Sequence, residues 1–304
     1  MTDLTEAAAA LAARCRTEPE LAHTSSLLVA RHGVEIAAYD LPADGLDTAV
    51  PTIASVTKSL LSTVAGWAWH DGLVRLDDTL GDLLGDRVPP ARRDATMHHL
   101  LSMTSGAAGG MTGIDQIREL PSGWVDELLR EPQTAPQGAV CCYDNGAAHL
   151  LAAVLHEVTG GLLGYAADRV LARVGCAEMI WPTDPEGVPY GFGDARLPPR
   201  ALLRFGEAWR TGTAVPAAYR ELAWTAHSPS GAPPDRAYGY LWWIADDGGV
   251  RTCVAAGWAG QCVLVTPDLA LTIVTTGSPD RRREGFSRSA LEEMALLVAA
   301  AAAA

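Results

Sequence analysis

The sequence predicts an α+β fold in which an antiparallel sheet of about five strands is built from both ends of the chain. Three observations lead to this prediction. Short β-rich runs lie near both termini, the terminal segments have helical composition, and the stretch between them is helical and rich in loops. We therefore expect a sheet domain of residues 1–76 and 201–304, a helical domain of residues 77–200, and an active site between them.

The strands are expected where β-rich, apolar runs stand between turn residues. These runs lie at 26–31, 34–39, 238–245, 251–256, 262–265 and 269–276. Arg31-His32-Gly33 is typical of a hairpin turn between the first two runs. Asp246-Asp247-Gly248-Gly249 and Pro267-Asp268 supply turns between the later ones.

Four helices matter for the prediction. The first is expected over residues 4–16 and the last over about 284–300, so that terminal helices flank the sheet. The segment 55–69 is apolar on nearly every side, which predicts a helix buried between the two layers. The segment 147–158 is also apolar all round, and it stops at Thr159-Gly160, as a glycine-terminated buried helix would.

Composition limits the partners and the compartment. The formal net charge of −13 disfavours nucleic acid and anionic membrane surfaces, because both select for basic patches. The N terminus is acidic where a secretory signal is basic, and no apolar window reaches the length of a membrane span. No pair of the six cysteines has zinc-ligand spacing. These features predict a cytoplasmic protein with reduced thiols and without metal or cofactor, and they leave the oligomeric state open.

Lys58 is the only lysine among the 23 lysines and arginines of the chain, and it follows Ser55 by three positions. A buried lysine can lose its proton, whereas an arginine effectively never does. Residues three apart share a helix face, so the Ser55 hydroxyl and the Lys58 amine can form a nucleophile and its base. Two plainer interpretations stay open: Ser55 as a helix N-cap, and Lys58 as an ordinary surface cation.

Two further clusters contain candidate site residues. Tyr143 can share a proton with a buried amine, and Asn145 can donate a hydrogen bond to an acyl carbonyl oxygen. Gly257, Trp258 and Gln261 lie in a β-rich region, where glycine lets a ligand approach a strand edge. The alternatives are a turn tyrosine with a capping asparagine in the first cluster and a β-bulge in the second.

The order of these clusters resembles that of the serine β-lactamase and penicillin-binding protein superfamily, in which Ser-x-x-Lys is a signature. The resemblance extends over most of the chain. It is carried by Ser55-Val56-Thr57-Lys58-Ser59, Asp71-Gly72-Leu73-Val74-Arg75-Leu76-Asp77-Asp78, Leu100-Leu101-Ser102-Met103-Thr104-Ser105-Gly106, Tyr143-Asp144-Asn145-Gly146, Thr159-Gly160, Tyr238-Gly239-Tyr240-Leu241-Trp242-Trp243 and Ala256-Gly257-Trp258-Ala259-Gly260-Gln261. The Leu-Leu-x-Met and Gly-x-x-Gly-Gln forms are most similar to the class C-like branch with 6-aminohexanoate-dimer hydrolases and β-lactamase-fold esterases.

The resemblance implies a β-lactamase/transpeptidase-like fold and a serine hydrolase that acts on a small-molecule amide or ester. Ser55 would be the acylated nucleophile. Lys58 would accept its proton, and Tyr143 would shuttle the proton to the leaving group. Two alternatives stay open: a biosynthetic acyltransferase that uses the same acyl-enzyme, and a non-catalytic homologue that binds an acyl or peptide ligand.

The resemblance also implies how the substrate is held. Asn145 would orient the acyl group, and the Ser55 N–H with a strand N–H near Trp258 would form the oxyanion hole. Gly257 and Gln261 belong to the same substrate-binding segment. Candidates for an apolar acyl pocket, with core positions as the plainer alternative, are Trp181, Tyr190, Phe192, Trp258 and the pair Trp242-Trp243.

One departure from the family pattern affects the expected substrate. Where β-lactamases have Lys-Thr-Gly and many relatives have His-x-Gly, this chain has Ala255-Ala256-Gly257. No cation stands there to hold a substrate carboxylate. We therefore expect weak or no hydrolysis of penicillins and cephalosporins, and a neutral amide or ester as substrate.

Overall fold

The computed structural model describes residues 3–42, 44–110, 113–228, 236–246, 249–278 and 290–303. Within these ranges all the named strands join one antiparallel sheet, in the order β2-β1-β7-β6-β5-β4-β3. The strands are β1 (Thr24–Arg31), β2 (Val34–Asp40), β3 (Ala237–Tyr238), β4 (Trp243–Asp246), β5 (Arg251–Gly257), β6 (Gln261–Thr266) and β7 (Leu271–Gly277). The sheet is thus built from both ends of the chain, as predicted.

The described part of the sheet has seven strands rather than the predicted five or so. The difference arises mainly in the run 238–245, which is not one strand but the short hairpin β3–β4. Leu241 has a positive φ of 60°, which reverses the chain. A Cβ on Gly239 would lie 2.1 Å from the Ala223 carbonyl oxygen, so glycine permits the close packing of this turn.

The helices of the described chain lie before, between and after these strands. They are α1 (Leu4–Thr17), α2 (Val56–His70), α3 (Leu80–Leu84), α4 (Met97–Leu101), α5 (Gly113–Ile117), α6 (Trp124–Arg130), α7 (Asn145–Thr159), α8 (Leu162–Ala166), α9 (Pro199–Thr211), α10 (Ala217–Ala223) and α11 (Ala290–Ala302). The predicted start of the last helix at residue 284 lies outside the described residues. The division into domains at 76/77 and 200/201 stays a prediction.

Two apolar cores lie on opposite faces of the sheet because successive strand residues point to opposite sides. In β1, Leu27 and Val29 pack towards α1 and α11, whereas Leu28 belongs to the core that contains α2. Both terminal helices therefore cover one face, as the sequence predicts. The other face is covered by α2 and α9, which bring the helical part of the chain against the sheet.

The helices α2 and α7 are both held in the core. Ser59 and Ser62 of α2 donate hydrogen bonds of 2.7 Å to the carbonyl oxygens of Leu241 and Tyr240, which tie α2 to the β3–β4 turn. α7 ends at Gly160, whose φ of 69° terminates the helix. The first turns of the two helices lie close together, since Lys58 Nζ donates to Asn145 Oδ1 over 2.7 Å.

Among the described residues no single helix is long and apolar enough to cross a membrane, and the one pair that passes this test together, 145–159 with 162–171, is bent by 84°.

Candidate active site

A cleft of about 550 Å³ opens where α2 and α7 begin and β5 ends. Its lining also includes residues of α5 and of the loop that precedes α9. The lining residues are Ala54, Ser55, Ile114, Asp115, Arg118, Asn145, Phe192, Gly193, Asp194 and Trp258.

Ser55 stands at a strained turn into α2. The preceding Ala54 has a φ of 45°, a left-handed conformation that is unfavourable for alanine. Ser55 occupies the N-cap position, but its side chain makes no capping hydrogen bond. Its Oγ lies 3.1 Å from Lys58 Nζ and 3.4 Å from the Phe192 carbonyl oxygen. The hydroxyl thus faces the amine, and the interpretation of Ser55 as a helix-capping side chain is wrong.

Lys58 is buried with 1 % of its surface exposed, so it is not a surface cation. Its Nζ donates to the Phe192 carbonyl oxygen over 2.6 Å and to Asn145 Oδ1 over 2.7 Å. Both oxygens can only accept hydrogen bonds. A neutral primary amine has two N–H groups and one lone pair. When the amine is neutral, its two N–H groups can donate to the two carbonyl oxygens, and its lone pair can accept the Ser55 hydroxyl proton. When it is charged, its third N–H donates to Ser55 Oγ over 3.1 Å.

The burial of Lys58 favours the neutral form of its amine. Burial lowers the pKa of the Lys58 amine from its ordinary value of 10.5 to about 7, because removal from water disfavours the charged form. The negative charges of Asp144 and Asp194 act in the opposite direction and limit the shift. A large fraction of the amine is therefore uncharged at neutral pH, as a general base must be.

Tyr143 contacts the same amine. Lys58 Nζ lies 4.7 Å from the centre of the phenol ring, which stacks on Trp243 at 5.4 Å and meets Tyr238 edge-on at 6.0 Å. Burial raises the pKa of Tyr143 to about 12, and a side-chain hydrogen bond with Ser55 opposes this shift. The phenol is therefore protonated at neutral pH. The structure brings Ser55, Lys58 and Tyr143 together, while their catalytic roles stay predictions.

Asn145 is the first residue of α7, and its amide oxygen contacts Lys58. The capping residue of the helix is Asp144, whose carboxylate accepts from the Gly146 N–H over 2.7 Å. Burial raises the pKa of the Asp144 carboxyl, while hydrogen bonds from the Gly146 and Ala147 N–H groups lower it. The alternative of Asn145 as the capping side chain is therefore wrong.

The end of β5 packs against the turn that carries the serine. A Cβ on Gly257 would lie 2.7 Å from the Ile53 carbonyl oxygen and 3.0 Å from the Ser55 backbone nitrogen, so only glycine allows this approach. The next residue, Trp258, is 56 % exposed and lines the cleft. Gly257 and Trp258 thus lie beside Ser55 where the sequence predicts them, and their part in an oxyanion hole stays a prediction.

Some side chains expected near the substrate lie elsewhere. Gln261 is 1 % exposed, and its Nε2 donates to the Gly277 carbonyl oxygen over 2.5 Å. It begins β6 and points towards the end of β7 rather than into the cleft, which corrects its placement among the substrate-binding residues. Of the candidate pocket aromatics, Trp181 and Trp242 are buried in the core.

The backbone carbonyl of Phe192, which no sequence motif marks, also contacts the Lys58 amine. Its loop is held against α7 by His149, whose buried ring donates from Nε2 to Asp184 Oδ2 over 3.1 Å. The other ring nitrogen accepts from the Gly191 N–H over 3.4 Å, which assigns the proton to Nε2. A Cβ on Gly191 would lie 2.0 Å from a backbone oxygen of α7. These contacts hold the Phe192 carbonyl at the amine.

No group of three or more His, Cys, Asp and Glu side chains within the described ranges could hold a metal ion. Among curated proteins, no sequence matches the chain. The sequence profile of the Beta-lactamase family, by contrast, matches residues 21–291. The chain belongs to the beta-lactamase family. Its motifs predict this superfamily, and the match confirms it.

Solved structures similar to this beta-lactamase family member include several hydrolases. One is a candidate 6-aminohexanoate-dimer hydrolase from Bacillus anthracis, with 18 % identity, coverage of 92 % of this chain and 78 % of that chain, and a TM-score of 0.75. Another is a D-stereospecific amidohydrolase from Streptomyces sp., with 18 % identity, coverage of 89 % and 96 %, and a TM-score of 0.68. A third is EstCE1, a hydrolase with promiscuous acyltransferase activity, with 18 % identity, coverage of 98 % and 99 %, and a TM-score of 0.74.

At these identities the likeness shows the fold. It confirms the predicted β-lactamase/transpeptidase-like architecture. Membership of the beta-lactamase family places the chain among the hydrolases of that fold.

Proposed function

We propose that this protein is a serine hydrolase that cleaves a small neutral amide or ester through an acyl-enzyme on Ser55. Lys58 acts as general base and Tyr143 as general acid. The observation that carries the proposal is the hydrogen bonding of Lys58 Nζ. Nζ donates to two carbonyl oxygens and lies 3.1 Å from the Ser55 hydroxyl oxygen, so that in the neutral amine the lone pair is within reach of the hydroxyl proton.

In the acylation step, Ser55 Oγ attacks the substrate carbonyl carbon as its proton moves to Lys58 Nζ. The new C–O bond converts the carbonyl oxygen into an oxyanion. The Ser55 N–H and a strand N–H near Trp258 stabilise this charge, and the loss of one such donor typically costs about 3 kcal/mol. The positive end of the α2 dipole adds to the stabilisation.

The oxyanion then expels the amine or alcohol, which needs a proton as the bond to carbon breaks. Tyr143 donates its proton to this leaving group and regains one from the Lys58 ammonium. The net result is transfer of the Ser55 proton to the leaving group. Asn145 orients the acyl group during these steps through its amide.

Deacylation repeats the chemistry with a different nucleophile. Water gives hydrolysis, whereas an alcohol or amine gives acyl transfer from the same intermediate. The exposed indole of Trp258 at the cleft favours acyl transfer as a second candidate, because an aromatic surface can hold an organic acceptor. A ligand-binding homologue without catalysis is disfavoured, since Ser55, Lys58 and Tyr143 are all present and lie together.

We expect weak or no hydrolysis of β-lactams. The segment Ala255-Ala256-Gly257 at the end of β5 offers no cation, and Ala255 is buried. Penicillins and cephalosporins carry a carboxylate that a cation at this strand would hold. A neutral acyl compound needs no such partner.

The acyl-enzyme is tested by labelling with a fluorophosphonate, followed by intact-mass analysis and peptide mapping. We expect one phosphonyl group per chain, attached to Ser55, because only that hydroxyl has a buried amine as base. Protein unfolded in urea before labelling is the control and should take up no label. A chain that hydrolyses 4-nitrophenyl esters without labelling at Ser55 would contradict the proposal. Product analysis with an added alcohol then separates acyl transfer from hydrolysis.

A further inference from the structure

The cleft contains an ion pair that the proposed chemistry does not use. Arg118 Nη2 donates to Asp194 Oδ2 over 2.9 Å, and both residues line the cleft. The guanidinium carbon lies 5.6 Å from the ring centres of both Tyr190 and Phe192, whose faces attract cations. The two charged side chains are 40 % and 38 % exposed, so a substrate entering the cleft can meet them.

The charges of the lining disfavour anionic substrates. Its charged residues are the carboxylates of Asp115 and Asp194 and the guanidinium of Arg118, which leaves one negative charge in excess. The whole chain has a formal charge of −13. A substrate carboxylate would find the cation of the lining already paired, and it would be repelled by the remaining negative charge. A neutral acyl group meets neither obstacle.

We propose that the Arg118–Asp194 pair is a specificity filter that excludes carboxylate-bearing acyl substrates, and that Asp194 is its deciding residue. The inference rests on the proposed function and adds the charge class of its substrate. While Asp194 occupies the guanidinium, no cation is available. Without the Asp194 charge, Arg118 could bind a substrate carboxylate through two N–H groups, as guanidinium groups commonly do.

The backbone at Asp194 makes the filter testable. Its φ of 64° lies in the left-handed region, which asparagine tolerates better than most residues. Asp194→Asn therefore removes the charge without a new backbone strain. The opposing interpretation is that this exposed ion pair has little effect on substrate selection, just as many exposed ion pairs have little effect on stability.

The test compares two esters of the same length, 4-nitrophenyl hydrogen adipate, which is anionic, and 4-nitrophenyl methyl adipate, which is neutral. The readout is the ratio of kcat/KM for the anionic ester to that for the neutral ester. Both esters acylate Ser55 with release of the same 4-nitrophenol. Any effect of the substitution on the pKa of Lys58 therefore changes both values of kcat/KM equally and cancels in the ratio. We expect the wild type to favour the neutral ester and Asp194→Asn to raise the ratio roughly tenfold.

Two further variants decide the cause. In the double variant Arg118→Gln/Asp194→Asn, the ratio should fall back from the value of Asp194→Asn, because no guanidinium is left to bind the carboxylate. Asp115→Asn is the matched control, since it removes one cleft charge without releasing Arg118, and it should raise the ratio much less. An unchanged ratio in Asp194→Asn, or an equal rise in the double variant or in Asp115→Asn, overturns the filter. If the wild type cleaves neither ester, the proposed function fails and the filter with it.

Discussion

Replacing Ser55 with alanine is expected to lower kcat for 4-nitrophenyl ester hydrolysis on the order of a hundred-thousandfold, as loss of a catalytic nucleophile does elsewhere. The methyl group cannot form the acyl-enzyme, and the base beside it has no proton to accept. Steady-state kinetics measure the loss. Fluorophosphonate labelling of the variant should disappear with it.

The matched control is Ser59→Ala, one turn further along α2. The Ser59 hydroxyl is buried and donates to the Leu241 carbonyl oxygen over 2.7 Å, so its loss should cost about 1 kcal/mol of folding stability. Ser59→Ala should still hydrolyse the ester and take up the label. Ser55→Ala protein that keeps wild-type turnover would show that another group is the nucleophile.

Lys58→Arg is expected to lower the rate of acylation by at least roughly a thousandfold, because general-base catalysis contributes this much and a guanidinium cannot accept a proton. The substitution makes the positive charge permanent and retains N–H donors for Asn145 and the Phe192 carbonyl. It removes only the ability to be neutral. The rate of fluorophosphonate labelling measures the acylation step without interference from deacylation.

Two measurements show that such a loss is chemical rather than structural. Thermal unfolding of Lys58→Arg reports whether the variant folds. A Lys58→Ala variant, which leaves room at the amine position, should regain part of its labelling rate when methylamine is added as an external base. Lys58→Arg protein that labels at the wild-type rate would mean that a fixed positive charge suffices and that the amine is not a base.

The contact between Ser55 and Lys58 could be predicted from the sequence, because helix geometry brings residues three apart to the same face. The segment 55–69 is apolar on nearly every side, and the structure places a buried helix at Val56–His70. A spacing of three residues at its start is enough to bring the Ser55 hydroxyl to Lys58 Nζ. The antiparallel sheet and the terminal helices could also be predicted, because short β-rich segments, turn residues and helical composition each mark them within a few residues of sequence. Family membership rests on the same motifs.

Contacts made by the backbone could not be predicted. The carbonyl of Phe192 bonds to Lys58, and every residue has such a group, so no side-chain pattern marks it. Its position depends on the His149–Asp184 pair and on Gly191, which the fold brings together. Gln261 was assigned to the cleft from its motif, but the side-chain direction at the start of β6 turns it towards β7.

Pairs distant along the chain were missed for a related reason. Arg118 and Asp194 are 76 residues apart. Arg118 follows the short helix α5 and Asp194 lies in a loop, and neither segment has a regular pattern. The sequence itself shows that the strand position of Ala255 carries no cation. That another cation lines the cleft, already bound to a carboxylate, is visible only in three dimensions.

The protonation state of Lys58 at neutral pH is the claim on which the mechanism depends. Because Lys58 is the only lysine of the chain, protein labelled with ¹⁵N and ¹³C lysine gives one lysine side-chain signal, with no assignment needed. Its chemical shift followed against pH reports the titration of this amine directly. We expect a midpoint at about 7, with activity rising over the same range as the proton leaves. A midpoint close to the ordinary value of 10.5 would contradict the account, because the amine would then be charged and unable to activate the serine.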